Sequence, residues 1–278
     1  MITVTAPGKL VVLGEYAVLE GAPALVAAVD RGVRCEVLEG DGLQTPGDDR
    51  FVRAALNGAP RRLYRFADWN PVTLPDKPGF GGSAAATVAA CLAGFGPDGL
   101  LDRALRVHHA VQGSGSGIDV WASVHGGLRA WPQGNIHPKA PLSAIYSGQS
   151  AKTGPRVKRF QAWGARERRD FARASAELLG MPLIEALAAG YALLKAMSAQ
   201  AGIDYDTPAL ARIATLAADH GGAAKPSGAG GGDVAVACIP DPEARTQFEA
   251  ACALEGLPPI AVRVVGGAHA GRHQVQEG

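Results

Sequence analysis

The sequence predicts an α+β fold built from two halves, and three observations support this prediction. Short apolar runs with the composition of strands, such as Ile2–Thr5, are interspersed with segments such as Leu100–Val111, whose apolar residues recur on one face of a helix. In the second half, four prolines directly follow a turn or capping residue, which is typical of helix starts. A stretch interrupted by proline and glycine, Trp131–Pro141, separates the halves. We therefore expect domains at residues 1–138 and 139–278.

The individual elements follow from these patterns along the chain. Strands are expected in the first half at Ile2–Thr5, Leu10–Leu13, Pro23–Val29, Val33–Leu38, Phe51–Leu56, Arg62–Phe66 and Leu128–Trp131. Two helices, Ala84–Ala93 and Leu100–Val111, precede the last of these strands, and the second has His108 on its apolar face. The second half is expected to hold strands Leu142–Tyr146, Val234–Ile239 and Ile260–Val265, and helices that begin near Pro155, Pro182, Pro208 and Pro242.

The overall composition excludes several classes of protein. The chain has 278 residues, 47% of them hydrophobic, and a formal net charge of +1. This content supports a folded core, and the charge gives no reason to expect a nucleic-acid partner. Four cysteines scattered among apolar residues, Cys35, Cys91, Cys238 and Cys252, predict buried thiols rather than a metal site. Because the N-terminus lacks signal-peptide features and no apolar run reaches membrane-spanning length, we expect a cytoplasmic protein with no membrane partner.

The stretch Lys77–Thr87 has the features of a phosphate-binding loop. Three glycines within four residues let the backbone adopt positive φ and approach a ligand closely. Ser83 then stands at a predicted helix start, where it would cap the helix and where unpaired N–H groups and the helix dipole favour an anion. The residues predicted to bind phosphate are Gly79, Gly81, Gly82, Ser83 and Ala84. A tight turn into a packed helix is the structural alternative.

Three further stretches make the interpretation more specific. They are Ala6–Val18 with Pro7-Gly8-Lys9, Gly113–Asp119 with alternating glycine and serine, and Lys225–Asp233 with four glycines. In this order, the four stretches resemble the GHMP small-molecule kinases over most of the chain. The resemblance implies a two-domain architecture with the active site in the cleft between the halves. It also implies that the phosphate-binding loop receives ATP and that Gly228–Asp233 is the C-terminal glycine-rich loop of the family.

The resemblance also implies roles for individual residues. Asp119 is similar to the family's catalytic aspartate, which would accept or orient the proton of the acceptor, and the charge of Lys9 would favour the ionised carboxylate. Ser83 would hold Mg²⁺ beside the ATP phosphates. The residues expected to bind substrate are Ser116, Lys152, Lys225, Gly230 and Gly231. The structural alternatives are a helix-capping role for Asp119 and solvated surface positions for the lysines.

Some positions fit the family pattern less directly. Gly82 stands where the family usually has a first serine, and His108 stands where mevalonate kinases have a Mg²⁺-binding glutamate. On the apolar face of a helix, His108 is predicted to be a core histidine. Glu15 is predicted to be structural. For the adenine of ATP, Trp69 and Asn70 are candidates, and an aromatic loop residue that covers the core is the alternative.

Within the family, the sequence is most similar to the phosphomevalonate kinases, because the C-terminal loop ends at Asp233, where mevalonate kinases more often have glycine or alanine. This implies ATP-dependent phosphorylation of 5-phosphomevalonate to 5-diphosphomevalonate in isoprenoid biosynthesis, with Mg²⁺ as cofactor. Mevalonate as the acceptor is one alternative, and a kinase-like sensor that binds ATP or a metabolite without turnover is another. A homodimer is compatible with the sequence.

Overall fold

The computed structural model describes residues 1–74, 76–113, 115–138 and 140–272, and it combines helices with two β-sheets. The strands are β1 (Ile2–Leu13), β2 (Ala24–Leu38), β3 (Gly42–Gln44), β4 (Leu63–Trp69), β5 (Leu128–Trp131), β6 (Leu142–Tyr146), β7 (Ala223–Pro226), β8 (Val234–Cys238), β9 (Pro259–Ile260) and β10 (His269–Arg272). The helices are α1 (Arg50–Ala55), α2 (Gly82–Phe95), α3 (Leu100–Gln112), α4 (Ile118–His125), α5 (Thr153–Ala162), α6 (Ala165–Glu177), α7 (Leu183–Ala201), α8 (Pro208–Asp219) and α9 (Pro242–Leu254). The predicted α+β class is confirmed.

The two sheets divide the chain approximately where the sequence changes character. The first sheet has the order β10-β1-β2-β4-β3, with β5 also paired to β2, and the second has the order β7-β8-β6-β9. The last strand, β10, crosses back and pairs antiparallel with β1. The division into units 1–138 and 139–278 therefore stays a proposal, and Lys139 and residues 273–278 lie outside the described part of the chain.

Two long strands replace the four short ones that were predicted near the N-terminus. β1 and β2 pair antiparallel from Ile2 opposite Val37 to Leu13 opposite Leu25. Pro7-Gly8 does not end β1 but produces a shift of register between Ala6 and Gly8. A β-carbon at Gly8 would lie 2.0 Å from Arg31 O and 2.6 Å from Phe80 O, so only glycine fits there.

The prediction of a strand over Phe51–Leu56 is wrong, because this segment is helix α1. Its buried residues, Val52 and Ala55, are three positions apart, which places both on one face of a helix against the first core cluster. The strand predicted over Ile260–Val265 is shorter, since β9 contains only Pro259 and Ile260. Local composition did not distinguish these alternatives because both segments are short and partly apolar.

Helix starts in the second half agree best with the sequence where a capping side chain precedes proline. Thr207 and Asp241 accept hydrogen bonds from the backbone of Leu210 and Ala244, and proline opens the helix in both cases. The helix predicted near Pro182 begins at Leu183, with Pro182 as its N-cap. These caps specify where α8 and α9 begin on the outer face of the second sheet.

The core is continuous between the two sheets. One cluster of buried residues packs α1, α2 and α3 against the first sheet, and another packs the α8–α9 layer against the second. A central cluster joins both sheets, and its buried members include Leu10, Leu13, Phe80, Tyr146 and Leu187. All four cysteines are buried and outside disulfides, as predicted. In the described residues, no helix combines the length and hydrophobicity needed to cross a membrane.

The contact at Gly8 leads to a test of the fold. Gly8→Ala is expected to lower the free energy of unfolding by about 1–3 kcal/mol, because its methyl group would overlap two carbonyl oxygens. Gly180→Ala is the matched control, since a β-carbon there meets nothing within 4 Å. Urea unfolding of both variants measures the difference. Equal stability of the two variants would contradict the close approach at Gly8.

Candidate active site

A cleft of about 860 Å³ lies between the two halves. Its walls come from β1 and the turn after it, the segment before α2, one face of α3, the start of α4, the start of α5 and the loop after β7. These segments contain all four of the sequence stretches singled out above. The cleft therefore lies where the predicted active site was expected.

The start of α2 forms a backbone cradle beside this cleft, which Gly79, Gly81 and Ser83 line and Gly82 and Ala84 do not. Gly81 is the N-cap, with φ of 74°, and the first helical hydrogen bond runs from Ala85 N to Gly81 O at 3.1 Å. The N–H groups of Gly82, Ser83 and Ala84 precede that bond and have no acceptor within the helix. Gly82 is exposed, whereas the side chain of Ala84 is buried in the core. Ala84 can therefore contribute only its backbone to an anion site.

Ser83 does not cap α2, which corrects the expectation from the sequence. It occupies the second helical position, and its Oγ lies 3.2 Å from His108 Nε2. Thr87 Oγ1 donates to Ser83 O at 2.8 Å. The capping position belongs to Gly81 because the left-handed turn into the helix requires positive φ there. Ser83 still lines the cleft, and its hydroxyl is positioned by a histidine.

His108 is a core histidine, as predicted, and it also reaches the cleft. Its side chain stacks on Phe51 with a ring separation of 5.1 Å, and the residue is 7% exposed. Burial lowers the pKa of His108, although the carboxylate of Asp119 opposes this shift. The ring is therefore mainly neutral at pH 7. It contacts the Ser83 hydroxyl, but unlike the glutamate of mevalonate kinases it brings no carboxylate to the cleft.

Lys9 and Asp119 converge on Gly81. A β-carbon at Gly81 would lie 3.2 Å from Lys9 Cγ and 3.4 Å from Asp119 Oδ2. Lys9 Nζ donates to Gly79 O at 3.3 Å, and its side chain is almost completely buried. Asp119 lies in the first turn of α4, whose N-cap is Gly117, so the capping alternative for Asp119 is excluded. A lysine and a carboxylate thus lie together beside the N-terminus of α2.

The stretch before α4 contributes one further predicted residue. Ser116 lines the cleft, and its Oγ accepts a hydrogen bond from Ile118 N at 3.4 Å. Gly115 and Gly117 line the same wall and have positive φ. Ser114 lies outside the described residues.

The loop after β7 closes the opposite wall. Ser227, Gly228, Ala229 and Asp233 line the cleft. A β-carbon at Gly79 would lie 2.6 Å from Asp233 Oδ2, so the loop packs directly on the segment that leads into α2. Burial raises the pKa of the Asp233 carboxyl group, whereas the hydrogen bond from the Ala151 amide lowers it. Asp233 therefore connects the start of α5 with the cradle.

Four of the predicted substrate-binding residues do not line the cleft. Lys225 has a completely buried side chain that pairs with Glu15, so the prediction that it contacts substrate is wrong. Glu15 thus has a structural partner, as predicted, and it also lines the cleft. Lys152 is exposed, although Ala151 and Thr153 on either side line the cleft.

Gly230 and Gly231 of the loop do not line the cleft either, in contrast to Gly228. A β-carbon at Gly230 would lie 2.3 Å from the Tyr205 ring, and one at Gly231 would lie 1.8 Å from Arg156 Nη2. Gly230 is required for close packing, because the backbone oxygen of Tyr205 also lies 2.5 Å from that β-carbon, whereas Gly231 is favoured by its positive φ of 73°. They support the site instead of contacting a ligand in it.

Several lining residues were missed by sequence reasoning. Cationic groups of Lys77 and Arg106 and the imidazole of His109 border the cleft. Tyr16, Val18, Leu19 and Val157 form a more apolar part of its wall. The spacing of Leu105, Arg106, His108, His109 and Gln112 on α3 marks one helical face, which was a detectable signal. Asn70 lies elsewhere, since its Nδ2 donates to Asp30 O and it lines a second cleft.

The donor set of the cleft suits a nucleotide with a hard cation. The described residues contain no cluster of three histidine, cysteine or acidic side chains that would hold a metal alone. Ser83 and Asp119 offer a hydroxyl and a carboxylate beside the cradle. Mg²⁺ takes few protein ligands and completes its shell with water and phosphate oxygens, so these two groups fit it.

Comparison with known proteins finds kinases that are similar to this chain in sequence. No protein-family model matches the chain. Mevalonate kinase of Methanothermobacter thermautotrophicus is 32% identical over 145 residues, which are 45% of this chain and 48% of that protein. Phosphomevalonate kinase of Streptomyces sp. strain CL190 is 26% identical, and the match covers 84% of this chain and 88% of that protein. The chain spans about half the length of the first curated relatives that it matches.

Solved structures show the same fold. Phosphomevalonate kinase of Streptococcus pneumoniae, in complex with phosphomevalonate and AMPPNP, has a TM-score of 0.77 at 20% identity, over 95% of this chain and 100% of that chain. Mevalonate kinases and a galactokinase are also structural neighbours. The chain thus has the GHMP kinase fold, as the four motifs predicted, and its sequence relatives are kinases of the mevalonate pathway.

Proposed function

We propose that the chain transfers the γ-phosphoryl group of ATP to 5-phosphomevalonate. The observation that carries this proposal is the convergence of Lys9 and Asp119 on Gly81, at the N-terminus of the helix that offers the phosphate cradle. Phosphoryl transfer depends mainly on positioning and on cationic groups around the developing charge. A cradle, a lysine and a carboxylate that meet at one residue supply these requirements.

Each group has a distinct part in the proposed reaction. The amides of Gly82, Ser83 and Ala84 would hold phosphate oxygens of ATP by hydrogen bonds and the helix dipole. Asp119 would orient the attacking oxygen of the acceptor and take its proton, where it carries one. Lys9 would stabilise the charge that develops between donor and acceptor. Mg²⁺, when bound by Ser83 and Asp119, would neutralise charge on the phosphates.

A phosphate acceptor suits the charges in this cleft. A phosphomonoester has a second pKa near 6, so it is largely ionised at neutral pH and needs cationic groups more than it needs a base. Lys225 and Lys152 do not line the cleft, but Lys77 and Arg106 do, together with Lys9. Ser116 remains a proposed contact of the acceptor. These cations make a dianionic acceptor the better candidate.

Mevalonate is the second candidate acceptor. Curated relatives named mevalonate kinase match this chain with 27–33% identity, and those named phosphomevalonate kinase match it with 26–30% identity. The hydroxyl group of mevalonate would depend on Asp119 as a base more strongly than the phosphate group of 5-phosphomevalonate would.

Ser83→Ala tests the proposed metal ligand. The variant is expected to lose turnover at limiting Mg²⁺, while its free energy of unfolding changes by about 1 kcal/mol or less, because Ser83 is not the helix cap. Steady-state rates across a Mg²⁺ titration and a urea unfolding curve measure the two effects. Ser83→Thr, which keeps the hydroxyl, is the control. Wild-type rates for Ser83→Ala at low Mg²⁺ would remove Ser83 from the metal site.

Asp119 and Lys9 are expected to act as a unit. Asp119→Asn should lower kcat about a hundredfold, the scale of a positioned acid–base group. Adding Lys9→Met to that variant should cost less than Lys9→Met costs alone, because both groups serve one transition state. A double-mutant cycle on kcat/KM measures the coupling. Strictly additive losses would mean that the two residues act separately.

The choice of acceptor is tested by a panel assay. The purified chain is given Mg·ATP with 5-phosphomevalonate or mevalonate, and release of ADP is coupled to a spectroscopic signal. The expected result is a higher kcat/KM for 5-phosphomevalonate. A preference for mevalonate would contradict the proposed acceptor but agree with the proposed kinase activity. ATP binding without turnover of either compound would favour the sensor alternative.

A further inference from the structure

A buried ion pair joins the turn after β1 to the loop after β7. Lys225 Nζ donates to Glu15 Oε1, and the two side chains are 0% and 2% exposed. Burying two charges usually costs about as much free energy as their attraction returns. In the described part of the chain, Glu15 Oε2 has no hydrogen-bond partner, which adds to this cost. The pair is therefore a poor source of folding stability.

The contacts of the pair are directed at the backbone of the loop. Lys225 Nζ also donates to Pro226 O at 3.0 Å. Gly228 N donates to Glu15 Oε1 at 3.4 Å, and a carboxylate is the stronger acceptor for such a bond. Glu15 and Lys225 thus hold the loop on both sides of Ser227.

Two more hydrogen bonds attach the same loop to the same N-terminal segment. Val11 N donates to Ser227 Oγ at 2.9 Å, in the interior of the protein. Tyr16 OH donates to Ala229 O at 2.7 Å. Together with the ion pair, they join the two halves of the chain along one wall of the cleft.

The loop in turn contacts the groups proposed to handle phosphate. A β-carbon at Gly228 would lie 3.8 Å from Lys9 Nζ, and Asp233 packs on Gly79. Lys9 Nζ itself donates to Gly79 O. A displacement of the loop would therefore change the position of Lys9 and of the segment that leads into the cradle.

We propose that Glu15 and Lys225 are positioning residues that hold the loop Ser227–Asp233 in register with Lys9 and the phosphate cradle. We call this pair the Glu15–Lys225 clasp. It acts through the loop and does not contact substrate through Lys225. The proposal rests on the proposed kinase function for its catalytic consequence, whereas its effect on the order of the loop does not depend on that function.

The test separates stability from positioning. Lys225→Met should lower Tm strongly, because it leaves the buried Glu15 carboxylate unpaired. The double variant Glu15→Met/Lys225→Met removes both charges at similar volume and should recover most of that Tm. It should nevertheless keep kcat about tenfold below wild type, with faster hydrogen–deuterium exchange in residues 227–233, because the loop has lost its polar contacts.

Two further variants complete the experiment. Glu15→Gln preserves the shape of the side chain and keeps an oxygen that can accept the hydrogen bond from Gly228 N. This variant should therefore show faster turnover and slower loop exchange than the double variant. Arg263→Met is the matched control, since it also breaks an ion pair to a buried carboxylate, Asp30, between the first sheet and the C-terminal segment. That pair lines the second cleft, so Arg263→Met should leave kcat and loop exchange unchanged.

The outcomes distinguish the clasp from the kinase proposal. A double variant with recovered Tm, wild-type kcat and unchanged loop exchange would overturn the clasp. If that variant does not fold, wild-type kcat and exchange in Glu15→Met alone would overturn it equally. A third outcome combines two results: the double variant shows faster loop exchange, and the wild-type protein phosphorylates neither acceptor. This outcome would support the clasp and count against the kinase proposal.

Discussion

The hydrogen bond from Lys9 N to Phe80 O, 2.8 Å long, is the contact on which the rest of the cleft depends. It places the segment before α2 directly on β1, and the absence of a side chain at Gly8 makes this approach sterically feasible. With the segment held there, Gly81 begins α2 beneath Lys9 and opposite Asp119. The proposed anion site is therefore built from backbone groups whose positions depend on β1.

Burial determines which charged side chains around the cleft can reach a ligand and which contact only the protein. The Lys225 side chain is completely buried and pairs with Glu15, which is itself almost completely buried at the edge of the cleft. Lys77 and Arg106 remain at the border of the cleft, where they can approach an incoming anion. Burial lowers the pKa of His108, and its Nε2 contacts the Ser83 hydroxyl. Residues of similar charge type therefore have different roles because their depth differs.

Much of the fold could be predicted because it depends on local patterns. The helices after Thr207 and Asp241 begin where a capping oxygen precedes proline, and β6 spans the apolar run Leu142–Tyr146 as expected. Helix α1 could not be predicted, since Val52 and Ala55 become one face only when α2 packs against them. The return of β10 to β1 depends on contacts between opposite ends of the chain, which no local pattern encodes.

For the site, the sequence by itself determined the four glycine-rich stretches, their order and the identity of Lys9, Ser83, Ser116 and Asp119 as candidates. These features are local, because glycine permits positive φ and close approach wherever it stands. Only the tertiary structure decided that Lys225 pairs with Glu15 and that Lys152 stays outside the cleft. The physical reason is that burial and pairing of a charge depend on neighbours supplied by segments more than 200 residues apart, as the Glu15–Lys225 contact does with its separation of 210 residues.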